Sequence, residues 1–141
     1  MLFRSQAGWL VHLRDPSSKI DPQIVLSDSS VSTSEQTPAS LLSRESAGHI
    51  IDPNKGVPLK TPFAVSVVAK TGTASDALST TLLLVGPEEG KQLVEHAADV
   101  AAIWLSADGH TYQASNGPKI LLGGEAQGIA TTVHADSGGL R

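Results

Sequence analysis

The chain has 141 residues, of which 40% are hydrophobic and 17% charged, so its length and composition are those of one globular domain with a sizeable core. Its formal net charge is −4, and it carries no basic cluster for a phosphate backbone, which argues against a nucleic-acid-binding protein. The absence of cysteine excludes disulfides, thiolate catalysis and cysteine-ligated zinc, and no apolar run approaches the roughly 20 residues that would cross a bilayer.

The predicted domain occupies residues 8–118, between an unusual start and a tail rich in glycine, alanine and threonine. No apolar stretch typical of a signal peptide follows Met1, and a strand-like segment begins almost at once. We therefore expect residues 1–7 to be an artefactual or disordered start, in a gene product that is incomplete at its N-terminus. We expect residues 119–141 to be a partly mobile tail, as chain ends usually are.

Two short strands are predicted at the start of the domain, followed by polar segments. Residues 9–15 alternate and are rich in β-forming side chains, and residues 23–26 are a second strand signal. Hydroxyl side chains cluster in residues 27–34, and residues 35–47 are polar and predict a loop with room for one helical turn. The hydroxyl cluster could donate to phosphates, but hydroxyl-rich loops are common and the signal is weak by itself.

A tight turn and a valine-rich strand occupy the middle of the chain. The short apolar segment His49–Ile51 is followed by Pro53, which fixes φ, and Gly56, which tolerates a positive φ, so a turn is predicted between them. Residues 63–70, with three valines, are the strongest strand signal in the sequence.

Two adjacent helices are predicted after this strand, one on each side of Gly86. In residues 74–85, apolar side chains at positions 78, 82 and 85 repeat with helical spacing, and further leucines leave little polar surface. Pro87 suits the first position of a second helix, and the acidic residues after it suit the positively charged helix N-terminus.

A hairpin is predicted towards the end of the domain. Residues 100–105 are an apolar strand, Asp108-Gly109 is a typical hairpin turn, and residues 110–114 are the return strand. The order of elements predicts an α+β fold with a mixed sheet, two adjacent helices and a C-terminal hairpin.

Asp76 and Thr80 are one helical turn apart, so both lie on one face of the first predicted helix. Two oxygen ligands near a helix N-terminus suit a hard cation such as Mg²⁺, with phosphate oxygens and water completing its shell. The spacing alone favours a structural role, in which Ser75 or Asp76 caps the helix and Thr80 bonds a carbonyl within it.

His49 stands at the edge of an apolar segment, where a histidine can act as a general base or hydrogen-bond donor. The carboxylate of Asp52, three residues further on, could orient it. The alternative is a partly buried histidine followed by a turn-forming Asp52-Pro53 pair, and this segment by itself favours that alternative.

The order of several motifs along the chain resembles the ApbE family of FAD:protein FMN transferases. No single motif is specific, but the ordered combination is, and it covers roughly residues 8–118. The segments that carry it are Gly48–Gly56, Val65–Ala69, Ser75–Thr80 and Leu84–Gly90, supported by Gly8–Pro16, Val31–Ser34 and Ala107–Gly109.

The resemblance implies an enzyme that transfers FMN from FAD to a threonine of an acceptor flavoprotein and releases AMP, with Mg²⁺ as cofactor and FAD as substrate. It implies that Asp76 and Thr80 are the side-chain ligands of Mg²⁺ and that His49 is the catalytic histidine. The residues it places along the flavin and FAD site are Ser34, Ile50, Ile51, Asp52 and Pro53.

The sequence departs from the family pattern in three ways. Lys55 replaces a threonine before Gly56, and Glu35 replaces a glycine after Ser34. The family's upstream half, with a glycine-rich segment and a backbone ligand to Mg²⁺, has no counterpart in this chain. We therefore expect an incomplete ApbE-like fold that lacks its N-terminal half and shows little or no transfer by itself. The resemblance also favours a bacterial protein of the cell envelope or periplasm.

Two other functions use the same residues. One is a non-catalytic module that binds a flavin or nucleotide, suggested by Lys55 and Glu35. The other is a Mg²⁺-dependent pyrophosphatase that splits FAD into FMN and AMP with water as the acceptor.

Overall fold

Strands dominate the part of the chain that the computed structural model describes, which is residues 2–5, 8–36, 49–118, 120 and 132–133. Most of the predicted loop at 35–47, Gly48, and most of the predicted tail lie outside the described residues. In chain order the elements are β1 (Leu2–Ser5), β2 (Gly8–His12), β3 (Gln23–Leu26), β4 (Ser30–Glu35), β5 (Ile51–Asp52), β6 (Val57–Pro58), β7 (Phe63–Ala69), α1 (Gly72–Glu95), β8 (Val100–Ser106), β9 (Thr111–Asn116) and β10 (Thr132–Val133).

An antiparallel sheet in the order β4-β7-β8-β9 forms the centre of the described fold. Its two inner strands are buried over residues 64–69 and 100–106, which explains why their sequences are nearly continuous apolar runs. The predicted hairpin is confirmed, because β8 and β9 pair directly and Gly109, at φ 98°, lies in the turn between them. The predicted turn at Pro53 and Gly56 is also present, between β5 and β6, with Gly56 at φ 65°.

The sequence prediction missed β4. Residues 30–35 were expected to continue a hydroxyl-rich stretch into a loop, yet they pair with β7 from Ser30 opposite Ala69 to Glu35 opposite Ala64. A run of serine and threonine lacks the alternation of apolar and polar side chains that predicts a half-buried strand. Long-range pairing with β7 therefore makes this segment a strand, because its own side chains have no strong preference for one.

The described fold has three layers, because α1 covers one face of the central sheet and a second sheet covers the other. Side chains alternate along β7, so Val65 and Val67 pack against α1 while Val68 packs against Ile24 and Leu26 of β3. The second sheet has the order β1-β2-β3-β10 and is mixed, since β10 runs parallel to β3. The predicted α+β class with a mixed sheet is confirmed.

The two predicted helices lie end to end as the two halves of α1, with a break at the predicted place. Gly86 has φ 79° and ψ 176°, which is not helical, and Pro87 follows it inside α1. The helix begins two residues earlier than predicted, and its N-cap is Thr71, whose hydroxyl accepts a hydrogen bond from the backbone N–H of Ala74 at 3.2 Å. The expectation that Ser75 or Asp76 caps the helix is therefore wrong. No helix in the described part of the chain is long and apolar enough to span a membrane.

Trp104 of β8 holds α1 against the sheet on both sides of this break. Its indole N–H donates to the Leu82 carbonyl at 3.1 Å, and its ring lies against Gly90. A Cβ at Gly90 would come within 2.5 Å of the Trp104 ring, so a larger residue there would push the second half of α1 away from the sheet.

Candidate functional site

A row of hydroxyl groups joins β4 to the first half of α1. Ser30, Ser32 and Ser34 alternate along β4 and so face the helix together. The Ser30 and Ser75 hydroxyls are 2.8 Å apart, and Ser34 Oγ lies 2.8 Å from Ser79 Oγ and 3.0 Å from Thr80 Oγ1. We call this contact the hydroxyl seam; its members are Ser30, Ser32, Ser34, Ser75, Ser79 and Thr80.

The hydroxyl seam brings together the two predicted metal ligands and the predicted flavin-side serine. Thr80 hydrogen-bonds to Ser34 across the seam, in place of the bond to a carbonyl of its own helix that the structural alternative required. Asp76 is exposed, and one of its carboxylate oxygens accepts a long hydrogen bond of 3.4 Å from Ser32. Asp76, Thr80 and Ser34 are therefore neighbours through β4, although 42 or more residues separate Ser34 from the other two.

The donor set at this place fits a small hard cation. Asp76 supplies an exposed carboxylate and Thr80 a half-buried hydroxyl, both oxygen ligands of the kind that Mg²⁺ prefers. Within the described residues, no group of three or more histidine, aspartate or glutamate side chains could hold a metal. A cation held here would therefore take its remaining ligands from water and from phosphate oxygens of a bound nucleotide, as Mg²⁺ usually does.

Gln36 ties the segment of His49 to the end of β4. Its side-chain oxygen accepts from the Ile50 backbone N–H at 3.2 Å, and its side-chain nitrogen donates to the Ile50 carbonyl at 3.5 Å. We call these two hydrogen bonds the Gln36 clasp. Gln36 is 7% exposed and directly follows β4, so the clasp attaches Ile50, and with it the chain at His49, to the end of β4. Sequence reasoning missed Gln36. The available signal was the polar alternation at positions 30, 32, 34 and 36, which becomes meaningful only once β4 is known to be a strand.

The structure does not use Asp52 to orient His49. One Asp52 carboxylate oxygen accepts from the backbone N–H of Asn54 at 2.9 Å, and the other lies 3.3 Å from Nζ of Lys55. The hydrogen bond from Asn54 and the neighbouring Lys55 lower the pKa of Asp52. The His49 side chain is exposed and has no hydrogen-bond partner among the described residues, so Asp52 has the turn-forming role of the structural alternative.

The remaining predicted flavin-side residues present an open surface beside His49. Ile51 is 48% exposed and Pro53 is also exposed, whereas Ile50 is half-buried against the core under α1. Exposed apolar side chains on this short hairpin could pack against a ring system.

Glu35 points away from the hydroxyl seam. Side chains alternate along β4, and the Glu35 carboxylate forms an ion pair of 2.7 Å with Arg14. The glutamate that replaces the usual family glycine therefore adds no negative charge to the seam.

Comparison with known proteins assigns the chain to a family and shows how much of its relatives' length the chain matches. The ApbE family model matches residues 3–104. The chain is similar to the FAD:protein FMN transferases of Escherichia coli strain K12 and of Escherichia coli O157:H7, each 31% identical over 72 residues. The matched stretch covers 50% of this chain but 20% of each relative, so the chain matches about a fifth of their length.

Proposed function

This chain belongs to the ApbE family, and we propose that it supplies the metal side and part of the flavin side of an FAD:protein FMN transferase site. The observation that carries the proposal is the contact of 3.0 Å between Ser34 and Thr80. It joins a residue matched to the flavin site with a residue matched to the metal site, from two distant parts of the chain.

In the proposed reaction, the hydroxyl oxygen of an acceptor threonine forms a bond to the phosphorus of the FMN half of FAD. The pyrophosphate bond to the AMP half breaks, and AMP leaves with the bridging oxygen. Mg²⁺ would neutralise negative charge at the pyrophosphate, and Asp76 and Thr80 are the residues that would hold it.

The chain's own residues account for the other requirements of this chemistry. His49 is exposed and adjoins Ile50, which the Gln36 clasp attaches to β4; in the proposed reaction it either accepts the proton of the acceptor hydroxyl or orients that hydroxyl. The Gln36 clasp keeps His49 close to β4, and Ile50, Ile51 and Pro53 offer apolar contacts to the flavin.

We propose that transfer needs more of the family's length than this chain matches, either on the same polypeptide or on a partner subunit. The test incubates the purified chain with FAD, Mg²⁺ and an acceptor domain and detects covalent flavin by in-gel fluorescence. We expect little or no transfer from this chain alone. We expect transfer from a protein that joins it to the rest of the family's length, and loss of that transfer in Asp76→Ala. Normal transfer by Asp76→Ala would contradict the metal assignment.

A non-catalytic flavin- or nucleotide-binding module is the second candidate. It is favoured by the Asp52 carboxylate, which is bonded to Asn54 and Lys55 within the β5–β6 turn, and by Lys55 itself, which replaces the family threonine. Quenching of flavin fluorescence without turnover would support it.

Chromatography of the products separates the reactions: FMN and AMP released without an acceptor protein indicate a pyrophosphatase, and covalent flavin indicates transfer.

A further inference from the structure

Three hydrogen bonds connect Thr80 back to the main chain of Asp76. Thr80 Oγ1 lies 3.0 Å from Ser34 Oγ, Ser34 Oγ lies 2.8 Å from Ser79 Oγ, and Ser79 Oγ donates to the Asp76 carbonyl at 2.9 Å. Ser79 is fully buried and Ser34 half-buried, so solvent does not replace these contacts easily. The two proposed metal ligands are therefore linked through two serines that are not ligands themselves.

The donors and acceptors in this series of hydroxyl groups are fixed by the Asp76 carbonyl at its end. A hydroxyl carries one proton, and Ser79 directs its proton to the Asp76 carbonyl, which can only accept. Ser79 must then accept from Ser34, and Ser34 in turn must accept from Thr80. The Thr80 proton thus points into the seam, and its lone pairs remain available to another group.

This is the orientation that a cation requires of a hydroxyl ligand, because a hydroxyl binds a cation through a lone pair and its proton must point elsewhere. We propose that Ser79 and Ser34 are positioning residues that hold the Thr80 hydroxyl ready for a divalent cation. The proposal rests on the assignment of Asp76 and Thr80 as metal ligands in the proposed function. It adds that two buried or half-buried serines determine how well Thr80 performs that role.

A longer branch reaches the Asp76 side chain. Ser79 Oγ lies 3.5 Å from Ser32 Oγ, which lies 3.4 Å from an Asp76 carboxylate oxygen. With the Ser79 proton on the Asp76 carbonyl and the Ser32 proton on the Asp76 carboxylate, the 3.5 Å contact carries no proton, so the Ser32 hydrogen bond of 3.4 Å acts on that side chain by itself. The Ser32 hydroxyl nevertheless lies where it limits the orientations of the Asp76 carboxylate.

Ser75 is a matched control one helical turn before Ser79. Both serines are 0% exposed, both donate to the carbonyl three residues earlier, and both meet a β4 serine at 2.8 Å. The hydrogen bonds of Ser75 go to Gly72 and Ser30, and neither of these is a proposed metal ligand. Replacing either serine with alanine therefore removes similar bonds, but only the change at Ser79 interrupts the path to Thr80.

The experiment measures the affinity for Mn²⁺, a probe for the proposed Mg²⁺ site, by calorimetric titration and by the electron paramagnetic resonance signal of free Mn²⁺. The proteins are the unsubstituted chain and its Ser79→Ala, Ser75→Ala and Asp76→Ala variants, each checked for folding by urea denaturation. We expect Ser79→Ala to weaken Mn²⁺ binding by about 3- to 10-fold, the effect of one net hydrogen bond, and Ser75→Ala by less than about twofold. Both serine variants should lose similar stability.

The outcomes separate the two levels of the proposal. Equal Mn²⁺ affinities in Ser79→Ala and Ser75→Ala, with a loss in Asp76→Ala, would overturn only the positioning role. An Asp76→Ala variant that binds Mn²⁺ normally, or an unsubstituted chain that binds none, would overturn the metal assignment as well. If Ser79→Ala does not fold, Ser34→Ala interrupts the same path from β4 and should weaken Mn²⁺ binding by a similar factor.

Discussion

The hydroxyl seam and the β5–β6 hairpin hold the two halves of the proposed site, and they are built differently. The seam lies over a buried core, and its groups bond across β4 and α1, between residues more than 40 positions apart. The hairpin is largely exposed, and its side-chain bonds are local, within residues 52–55. Apart from packing of Ile50, the Gln36 clasp is the described hydrogen-bonded link between them.

The groups of the proposed metal side are therefore already hydrogen-bonded to one another, whereas the proposed histidine side is attached by the Gln36 clasp and by the packing of Ile50 and Leu59 against the core. Preorganised groups lose little entropy on binding, so the seam suits the fixed requirements of a cation. An exposed hairpin can adjust to a flavin ring or to an acceptor protein.

The largest expected effect is on the core beneath the seam. Leu82 of α1 is fully buried against the central sheet, so Leu82→Ala should lower the free energy of unfolding by about 2–5 kcal/mol. Leu93→Ala, on the same helix at a side chain that is 46% exposed, should change it by less than about 0.5 kcal/mol. Urea denaturation followed by circular dichroism measures both. Equal losses would show that burial of the Leu82 side chain does not contribute the expected stability.

The next effect is on cation binding at the seam. Asp76→Ala should weaken Mn²⁺ binding by about 100-fold or more, since loss of a partner that merely supports a ligand already costs 10- to 100-fold. The Asp76 side chain is exposed, so stability should change little. Glu88→Ala removes another exposed carboxylate of α1 and serves as the control, with Mn²⁺ affinity expected within about twofold. A matching loss in both variants would indicate a general effect of charge.

The clasp between the two regions should respond locally. Gln36→Leu leaves the Ile50 backbone N–H without its acceptor, at a cost of about 1–3 kcal/mol, whereas the Ile50 carbonyl keeps its hydrogen bond from the Leu59 backbone N–H at 2.8 Å. Hydrogen exchange at the Ile50 amide should accelerate by at least about fivefold, while amides in the first half of α1 keep their protection. Gln92→Leu, at an exposed position of α1, is the control and should leave the Ile50 amide unchanged. Unchanged exchange in Gln36→Leu would mean that the hairpin is held by other contacts.

The smallest expected effect is a pH dependence of the turn between β5 and β6. The pKa of Asp52 is lowered from 3.8, first by the hydrogen bond from the Asn54 backbone and then by Lys55. A lowered folded pKa means that the carboxylate supports the turn fully above about pH 4 and loses that support as the pH falls through the folded pKa. The Asn54 amide resonance should therefore titrate with a midpoint below 3.8, and Asp52→Asn should abolish that titration. The serine and threonine hydroxyls of the seam do not titrate in this range.

Much of the fold was predictable because its signals are local. The buried strands β7 and β8 follow from apolar runs, and the break in α1 follows from Gly86 and Pro87, whose backbone preferences act wherever they occur. The hairpin turn follows from Asp108-Gly109 for the same reason. The resemblance to the ApbE family also followed from the order of motifs and is confirmed by the match over residues 3–104.

The site was predictable as a set of residues but not as an arrangement. Asp76 and Thr80 were expected to share a helix face, and α1 contains both. Their connection to Ser34, the clasp made by Gln36, and the use of Asp52 by its own turn could not be predicted from spacing. The sites of Mg²⁺ and of FAD on these residues stay predictions that the binding experiments test.

The sequence by itself determined where the chain bends, where it is apolar and which family it belongs to, because these properties depend on each residue and its near neighbours. Only the tertiary structure decided that residues 30–35 are a strand and that their serines face α1. The physical reason is that a row of hydroxyls has no strong preference of its own. Its conformation depends on pairing with β7 and on hydrogen bonds to a helix 45 residues away.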